Sequence, residues 1–177
     1  MILQQAELRP FKLLDFGILA SWVTSPGILL QFAGTEFSYP LTDEQLKGYL
    51  AAYPDRAFYL GLASGIPIFF GEIIPAPPGP PRLGRLLVGE PSKRGRGLGV
   101  LFTRLLMAEC RRLLGAERVE LYVWEENAAA IRCYKKAGFE FLDLPPYRLE
   151  WNGSTYVLLK MQAMTEDAKM LSLGNKL

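Results

Sequence analysis

SKRGRGLGVLFTRLL, Ser92 to Leu106, sets three glycines (Gly95, Gly97 and Gly99) among three cations (Lys93, Arg94 and Arg96) and runs straight into an apolar-periodic segment. Upstream, Arg82 to Gly89 reads as a strand. Downstream a helix fits Gly99 to Leu114, with Gly115 as the residue that ends it. A strand, a glycine-rich turn and a helix start together make an anion site. The first amides of a helix have no internal partners, and the helix dipole makes that end positive. Glycine brings backbone close to an anion with no Cβ in the way, and flanking arginines add charge-assisted bonds to phosphate oxygens. Arg94, Gly95, Arg96, Gly97, Leu98, Gly99 and Val100 are therefore candidates to hold a phosphate or pyrophosphate.

Two common phosphate motifs do not fit. Walker A needs GxxxxGK[ST], and no Lys-Ser or Lys-Thr follows these glycines. The dinucleotide pattern GxGxxG fails because Val100 stands where the third glycine belongs.

A second block lies after the strand expected at Val119 to Trp124. It is NAAAIRCYKKAGF, Asn127 to Phe139, with a helix over Ala128–Ala137 closed by Gly138. Asn127, Ala130 and Tyr134 are three and seven residues apart, which places them on one helical face. A tyrosine two turns into that helix can turn its hydroxyl back towards the preceding strand end.

The two blocks together resemble the GCN5-related N-acetyltransferase (GNAT) superfamily. Arg94-Gly95-Arg96-Gly97-Leu98-Gly99 satisfies that family's [QR]xxGx[GA], and the second block is similar to its NxxAxxxYxxxGF. The resemblance covers about Leu8 to Met161 and leans towards the branch acting on ribosomal proteins, protein N-termini and similar amines. It implies an α/β domain of α+β type, with a central mixed, mostly antiparallel sheet of six to seven strands flanked by helices. The domain is drawn at residues 1–162, with 163–177 as a tail.

By that resemblance the chain is an acyltransferase using acetyl-coenzyme A and no metal. A primary amine would attack the thioester directly in a ternary complex. The coenzyme's diphosphate would lie on Arg94 to Val100 and its pantetheine arm along Leu87, Val88 and Gly89. Asn127 and Ala130 would flank the arm from the other side, the amide near Val88 would face the oxyanion, and Tyr134 would donate to the departing thiolate. Where some relatives carry a catalytic glutamate, five residues before the motif asparagine, this chain has Tyr122. Glu72 is the candidate base if its strand parity turns it to the acceptor cleft; Glu120, Glu125 and a water relay are its rivals. Trp22, Phe32, Phe37 and Tyr39 could wall an acceptor site and Glu36, Asp43 and Glu44 could meet a cation, although all suit a core or a helix cap equally.

Composition agrees with one globular domain. The 177 residues are 50% hydrophobic and 21% charged, with a net charge of +2, which gives no reason to expect nucleic acid or membrane as partner. Histidine is absent, so no Ser-His-Asp triad, Cys-His pair or histidine-bearing zinc site can be built. Cys110 and Cys133 form no CxxC and read as buried thiols of a reducing, cytoplasmic setting. Phe16 to Thr35 carries no formal charge, but the Thr24-Ser25-Pro26-Gly27 cluster breaks it in two.

The remaining elements follow local patterns. Glu7 to Pro10 is extended, a helix spans Leu14 to Val23, and a shorter helical or irregular piece reaches Phe32. Thr42 and Gln45 form a capping box before LKGYLAAY. Ala57–Ala63 and Ile68–Ile74 flank Ser64-Gly65 as a hairpin, and the proline-rich 75–81 is a rigid loop. Phe139–Trp151, interrupted by Pro145-Pro146, and Thr155–Met161 flank Asn152-Gly153 as a second hairpin. Thr165–Leu177 frays or packs as a short helix. Two other readings stay open: a non-catalytic acyl-coenzyme A-binding module, and a nucleic-acid binder using KRGRG. A monomer and a homodimer fit equally.

Overall fold

The computed structural model describes residues 6–165. The tail expected at Thr165–Leu177 lies outside them apart from its first residue.

The strands are β1 (Ala6–Pro10), β2 (Ala57–Ala63), β3 (Ile66–Ile74), β4 (Arg82–Val88), β5 (Arg118–Trp124), β6 (Glu140–Phe141), β7 (Tyr147–Trp151) and β8 (Ser154–Met164). They form one sheet in the order β1-β2-β3-β4-β5-β8-β6, with β7 also paired to β8. Every pairing is antiparallel except β4 with β5. The helices are α1 (Phe16–Trp22), α2 (Pro26–Ala33), α3 (Asp43–Ala52), α4 (Leu98–Leu114) and α5 (Ala128–Ala137). The expected mixed α/β architecture is present, with eight strands rather than six or seven. The extra one arises where Leu142 to Pro146 separates β6 from β7, because neither proline can donate to a ladder.

Strand alternation divides the core between the two faces. On one side Val119, Leu121 and Val123 of β5 pack with Phe69, Phe102, Leu106 and Phe139 under α4 and α5. On the other Leu19, Trp22, Leu29, Phe32, Leu46, Leu60 and Phe70 pack under α1 to α3. Phe102 is fully buried, with its ring stacked on Phe69 at 5.2 Å and 15°. Burial of such a side chain is worth roughly 1.5–3 kcal/mol. α4 is thereby pinned to the sheet, and the position of its first turn follows from that packing.

The N-terminal helices depart in detail from expectation. A single 3-10 turn, Leu13–Asp15, precedes α1, and the second piece is a regular helix capped by Ser25, whose hydroxyl accepts from Ile28 N–H at 3.2 Å. Pro26 fills the first helical position, where a missing N–H costs nothing. The capping box at Thr42 is only half made. Thr42 accepts from Gln45 N–H at 3.3 Å, but the Gln45 amide reaches instead to Ser38 N–H at 2.8 Å and Pro40 O at 3.0 Å, tying down the loop before α3. Beyond the expected end at 162, β8 continues to Met164, and the Thr165 hydroxyl donates to Ala116 O. No described helix is long and apolar enough to cross a membrane.

Candidate functional site

β4 and β5 pair only at Arg82↔Glu120 and Leu83↔Leu121, then separate. The wedge between them opens into a cleft of about 880 Å³, floored by both strands and bordered by α2, α4 and α5. Parallel strands left unpaired expose main-chain groups, so the edge of β4 is available to a ligand with peptide-like groups. Gly89 N–H donates to Ile68 O at 2.9 Å, which makes Gly89 face β3. By alternation Leu87 also faces β3, while Val88 turns its N–H and C=O to the gap. Of the three residues expected along the arm, Val88 alone offers main chain to the cleft. Gly89 serves packing: a Cβ there would lie 2.2 Å from the Trp22 ring. Trp22 is accordingly a core residue and does not line the cleft.

At the head of the wedge stands the first turn of α4. Gly97 is its N-cap, at φ 79°, with Gly95 at 75°, so both occupy the left-handed region that favours glycine. No side chain caps this helix, and the Leu101 N–H to Gly97 O bond at 3.2 Å closes its first turn. The amides between are left directed at the cleft end. Gly99 has a different task. A Cβ there would meet Cys133 Sγ at 3.0 Å, so this glycine lets α4 and α5 cross closely. Arg94 folds back, its Nε donating to Val88 O at 3.2 Å and Nη2 to Gly89 O at 3.4 Å, which fixes the turn to the end of β4. Gly95, Gly97, Gly99, Val100 and Arg94 line the cleft; Arg96 and Leu98 do not.

α5 contributes the opposite wall. Asn127 Oδ1 accepts from Ala130 N–H at 3.0 Å and so caps α5, whereas its Nδ2 has no protein partner among the described residues. The motif asparagine is thus half committed to the fold and half free towards the cleft. Tyr134 lines the cleft with its ring against Phe139, and its hydroxyl has no protein partner among the described residues. Burial pushes the Tyr134 phenol well above its ordinary range, with the Cys133 thiol adding to the effect, so it stays protonated. Burial likewise raises Cys133, while Cys110, buried under α4, is pushed up to about 12; both thiols are free, but Cys133 is partly exposed on the cleft wall rather than buried as expected.

Glu72 does not face the cleft. It is fully buried and accepts from Tyr49 Oη at 2.7 Å, from Arg56 Nη1 at 3.3 Å and from Arg85 Nη1. This is a paired carboxylate, not a free base: two guanidiniums and a phenol occupy its oxygens and fill the directions from which a substrate proton would arrive. The alternative acids are no closer. Glu120 is bound by Lys160 at 2.6 Å and Gln162 at 3.2 Å, and neither it nor exposed Glu125 lines the cleft. Asp43 pairs with Lys47 at 2.8 Å, and with Glu44 it sits in the first turn of α3, where a negative charge suits the helix dipole. Tyr39 donates to Thr24 O, and Phe37 packs on Tyr49. Glu36 and Phe32 do reach the cleft.

Cleft residues that the sequence motifs left unmarked are Arg82 and Arg85 on β4, Thr103 on α4, and Arg132 and Lys136 on α5. A four-residue spacing between Arg132 and Lys136 was the one available signal for that pair. Arg85 was hidden by a bulge. Phe70 opposes Leu87 but Glu72 opposes Gly84, so Arg85 and Leu86 share one partner, and Arg85 sits at φ 49°.

Residues 5–140 match the family described as Acetyltransferase (GNAT) domain. The chain is 42% identical over 64 residues to the mycothiol acetyltransferase of Salinispora arenicola and 40% identical over 67 residues to that of Geodermatophilus obscurus. Those matches cover 35% and 37% of this chain and 21% of each relative, so the chain spans about a fifth of the length of these curated proteins. Among solved structures, AAC(6')-Ib in complex with paromomycin and acetyl-coenzyme A superposes with a TM-score of 0.70 at 20% identity, covering 98% of this chain and 99% of that one. Spermidine N-acetyltransferase from Vibrio cholerae, in complex with coenzyme A and spermine, gives 0.74 at 14% identity, with 91% and 96% covered. At such identities the likeness is one of fold.

Proposed function

The chain belongs to the GNAT acetyltransferase family, and from that premise we propose that it transfers an acetyl group from acetyl-coenzyme A to a primary amine, acting through the sheet unit that ends with β8. The observation carrying this reading is the uncapped α4 start opening onto the gap where β5 leaves β4 after two paired residues. A diphosphate on the amides of Gly95 to Val100 and a pantetheine arm along Val88 use both features at once. Arg132 and Lys136 supply further positive charge at that end.

The chemistry is then carried by few groups. The Val88 N–H, turned to the gap, stabilises the oxyanion formed when the amine attacks the thioester carbon. Asn127 Nδ2 holds the arm from the α5 side. Tyr134, kept protonated by burial, hydrogen-bonds the sulfur as the carbon–sulfur bond breaks. With Glu72 held by Arg56 and Arg85, the amine's proton leaves to water in the open mouth of the cleft.

The relatives named for mycothiol, aminoglycosides and spermidine use diverse acceptors, and a protein N-terminus is one further possibility within the same reading. A second reading, a non-catalytic acyl-coenzyme A-binding module, draws on one observation: the sole carboxylate lining the cleft among the described residues, Glu36, lies 3.8 Å from Arg85. Thiol release from acetyl-coenzyme A over a panel of amines and peptides, with thermal shift measured alongside, separates the two. Turnover on any amine supports transfer; stabilisation by the coenzyme with no turnover supports the module.

A further inference from the structure

The charged residues lining the cleft are Glu36, Arg82, Arg85, Arg94, Arg132 and Lys136, five cations against one carboxylate. Three of the cations, Arg94 in the turn before α4 and Arg132 and Lys136 on α5 either side of Cys133, where that helix crosses α4 at Gly99, are accounted for by an anionic coenzyme. Arg82 and Arg85 do not. They stand on β4 at the other end, towards the α2 loop and β7, where Tyr122 and Tyr147 also line the cleft.

Neither arginine is fully accounted for by the fold. Arg82 has no carboxylate partner among the described residues; its guanidinium lies 5.4 Å over the Tyr122 ring, which orients it without neutralising it. Its cross-strand neighbour Glu120 is taken by Lys160 at 2.6 Å. Arg85 binds Glu72 through Nη1 and lies 3.8 Å from Glu36 through Nη2, but its buried Nε has no hydrogen-bond partner. It is also held at φ 49° at the β4 bulge, a backbone cost for a non-glycine residue. A buried N–H without a partner is expensive, and Arg85 carries that cost at a strained backbone position while its guanidinium lines the cleft.

Resting on the transfer reading above, we infer that the acceptor is a primary amine that also bears a carboxylate, recognised by Arg82 and Arg85. A planar guanidinium offers a carboxylate two parallel bonds; Arg82, with no carboxylate partner among the described residues, supplies that fork, and Arg85 adds its charge beside it on the cleft wall. A polycation is disfavoured by the same residues, because it would place ammonium groups beside two arginines where Glu36 is the one carboxylate lining the cleft and Glu72 is already held by Arg85 and Arg56. The cations help the reaction as well: a positive environment lowers the pKa of a nearby ammonium and raises the share of free amine.

The test uses the full chain with α-amino acids, each matched to its amide and to its decarboxylated amine, and with spermidine and kanamycin as polycations. Two readouts are taken: thiol release from acetyl-coenzyme A, and the melting-temperature shift each acceptor adds to protein saturated with coenzyme A. The expected result is a kcat/KM about tenfold or more higher for an acid than for its amide, the factor that one hydrogen bond to a charged group contributes. The acid also raises the melting temperature where the amide does not. Arg82→Gln removes this preference through KM, and Arg82→Lys restores it only in part, because an ammonium lacks the fork. Binding of the acid without thiol release from any acceptor would leave this inference standing and overturn the transfer reading instead. Preference for the amide, the amine or a polycation, or no response to any acid in either readout, would overturn the inference.

Discussion

Arg85, held in the left-handed region at the β4 bulge, turns its guanidinium onto the fully buried carboxylate of Glu72 on β3. Arg56 and Tyr49 complete the set around that carboxylate, and Arg85 lies 4.3 Å over the Tyr49 ring. β3, β4, α3 and the segment before β2 are therefore joined beneath the part of the cleft lined by Arg85 and Glu36.

Glu72→Gln should act on the fold and not on proton transfer. Removing one partner of a buried ion cluster leaves guanidiniums uncompensated, which costs about 3–5 kcal/mol. Denaturant unfolding checks the loss. If the variant is assayed at a temperature where it remains folded, the pH dependence of turnover keeps its shape. Disappearance of an acid limb with stability unchanged would return Glu72 to the role of base.

Asn127 separates its two tasks by substitution. Asn127→Ala removes the α5 cap and should cost about 1 kcal/mol. Asn127→Ser keeps a cap acceptor for Ala130 N–H but lacks Nδ2, so stability should be nearly retained while coenzyme affinity falls several-fold. Equal affinity in the Ser variant and the parent protein, by calorimetry, would remove the amide from the coenzyme site.

Tyr134→Phe deletes one oxygen from the cleft wall. Turnover should fall about 10²-fold, the lower end of what a positioned proton donor contributes, with coenzyme affinity almost unchanged. Because burial raises this phenol far above its ordinary range, the parent enzyme should show no alkaline loss of activity attributable to it up to pH 10. A loss of affinity with unchanged turnover would contradict the assignment.

The glycines of the turn should divide into two kinds. Gly97→Ala puts a Cβ at φ 79°, costing about 1 kcal/mol or more in stability, and places it where the phosphate approaches, so coenzyme affinity drops. Gly99→Ala meets Cys133 Sγ instead, and Cys133→Ala should relieve it. Thermal unfolding of the single and double variants shows the coupling; additive losses would refute the close α4–α5 contact.

Local pattern made much of this molecule legible in the sequence. The Gly95–Gly99 turn, the Asn127 cap and the Asn152-Gly153 hairpin depend on neighbours a few residues away; φ is positive at both Asn152 and Gly153, as a type I′ turn requires. What depended on register was not legible. The direction of Glu72 follows from a bulge on the opposite strand, and the freedom of the Val88 N–H follows from β5 leaving β4 early, neither of which alternation along one strand encodes. Gly99 and Asn127 sit in the expected motif positions, yet the fold itself uses the first for helix packing and half of the second for a cap.

A crystal structure of the protein with coenzyme A tests most directly whether the bare amides at the start of α4 receive the diphosphate of the acyl carrier. Phosphate oxygens should lie within hydrogen-bond distance of main-chain N–H groups between Gly95 and Val100, with the arm beside Val88. Diphosphate density elsewhere on the molecule, with that first turn left vacant, would contradict that placement.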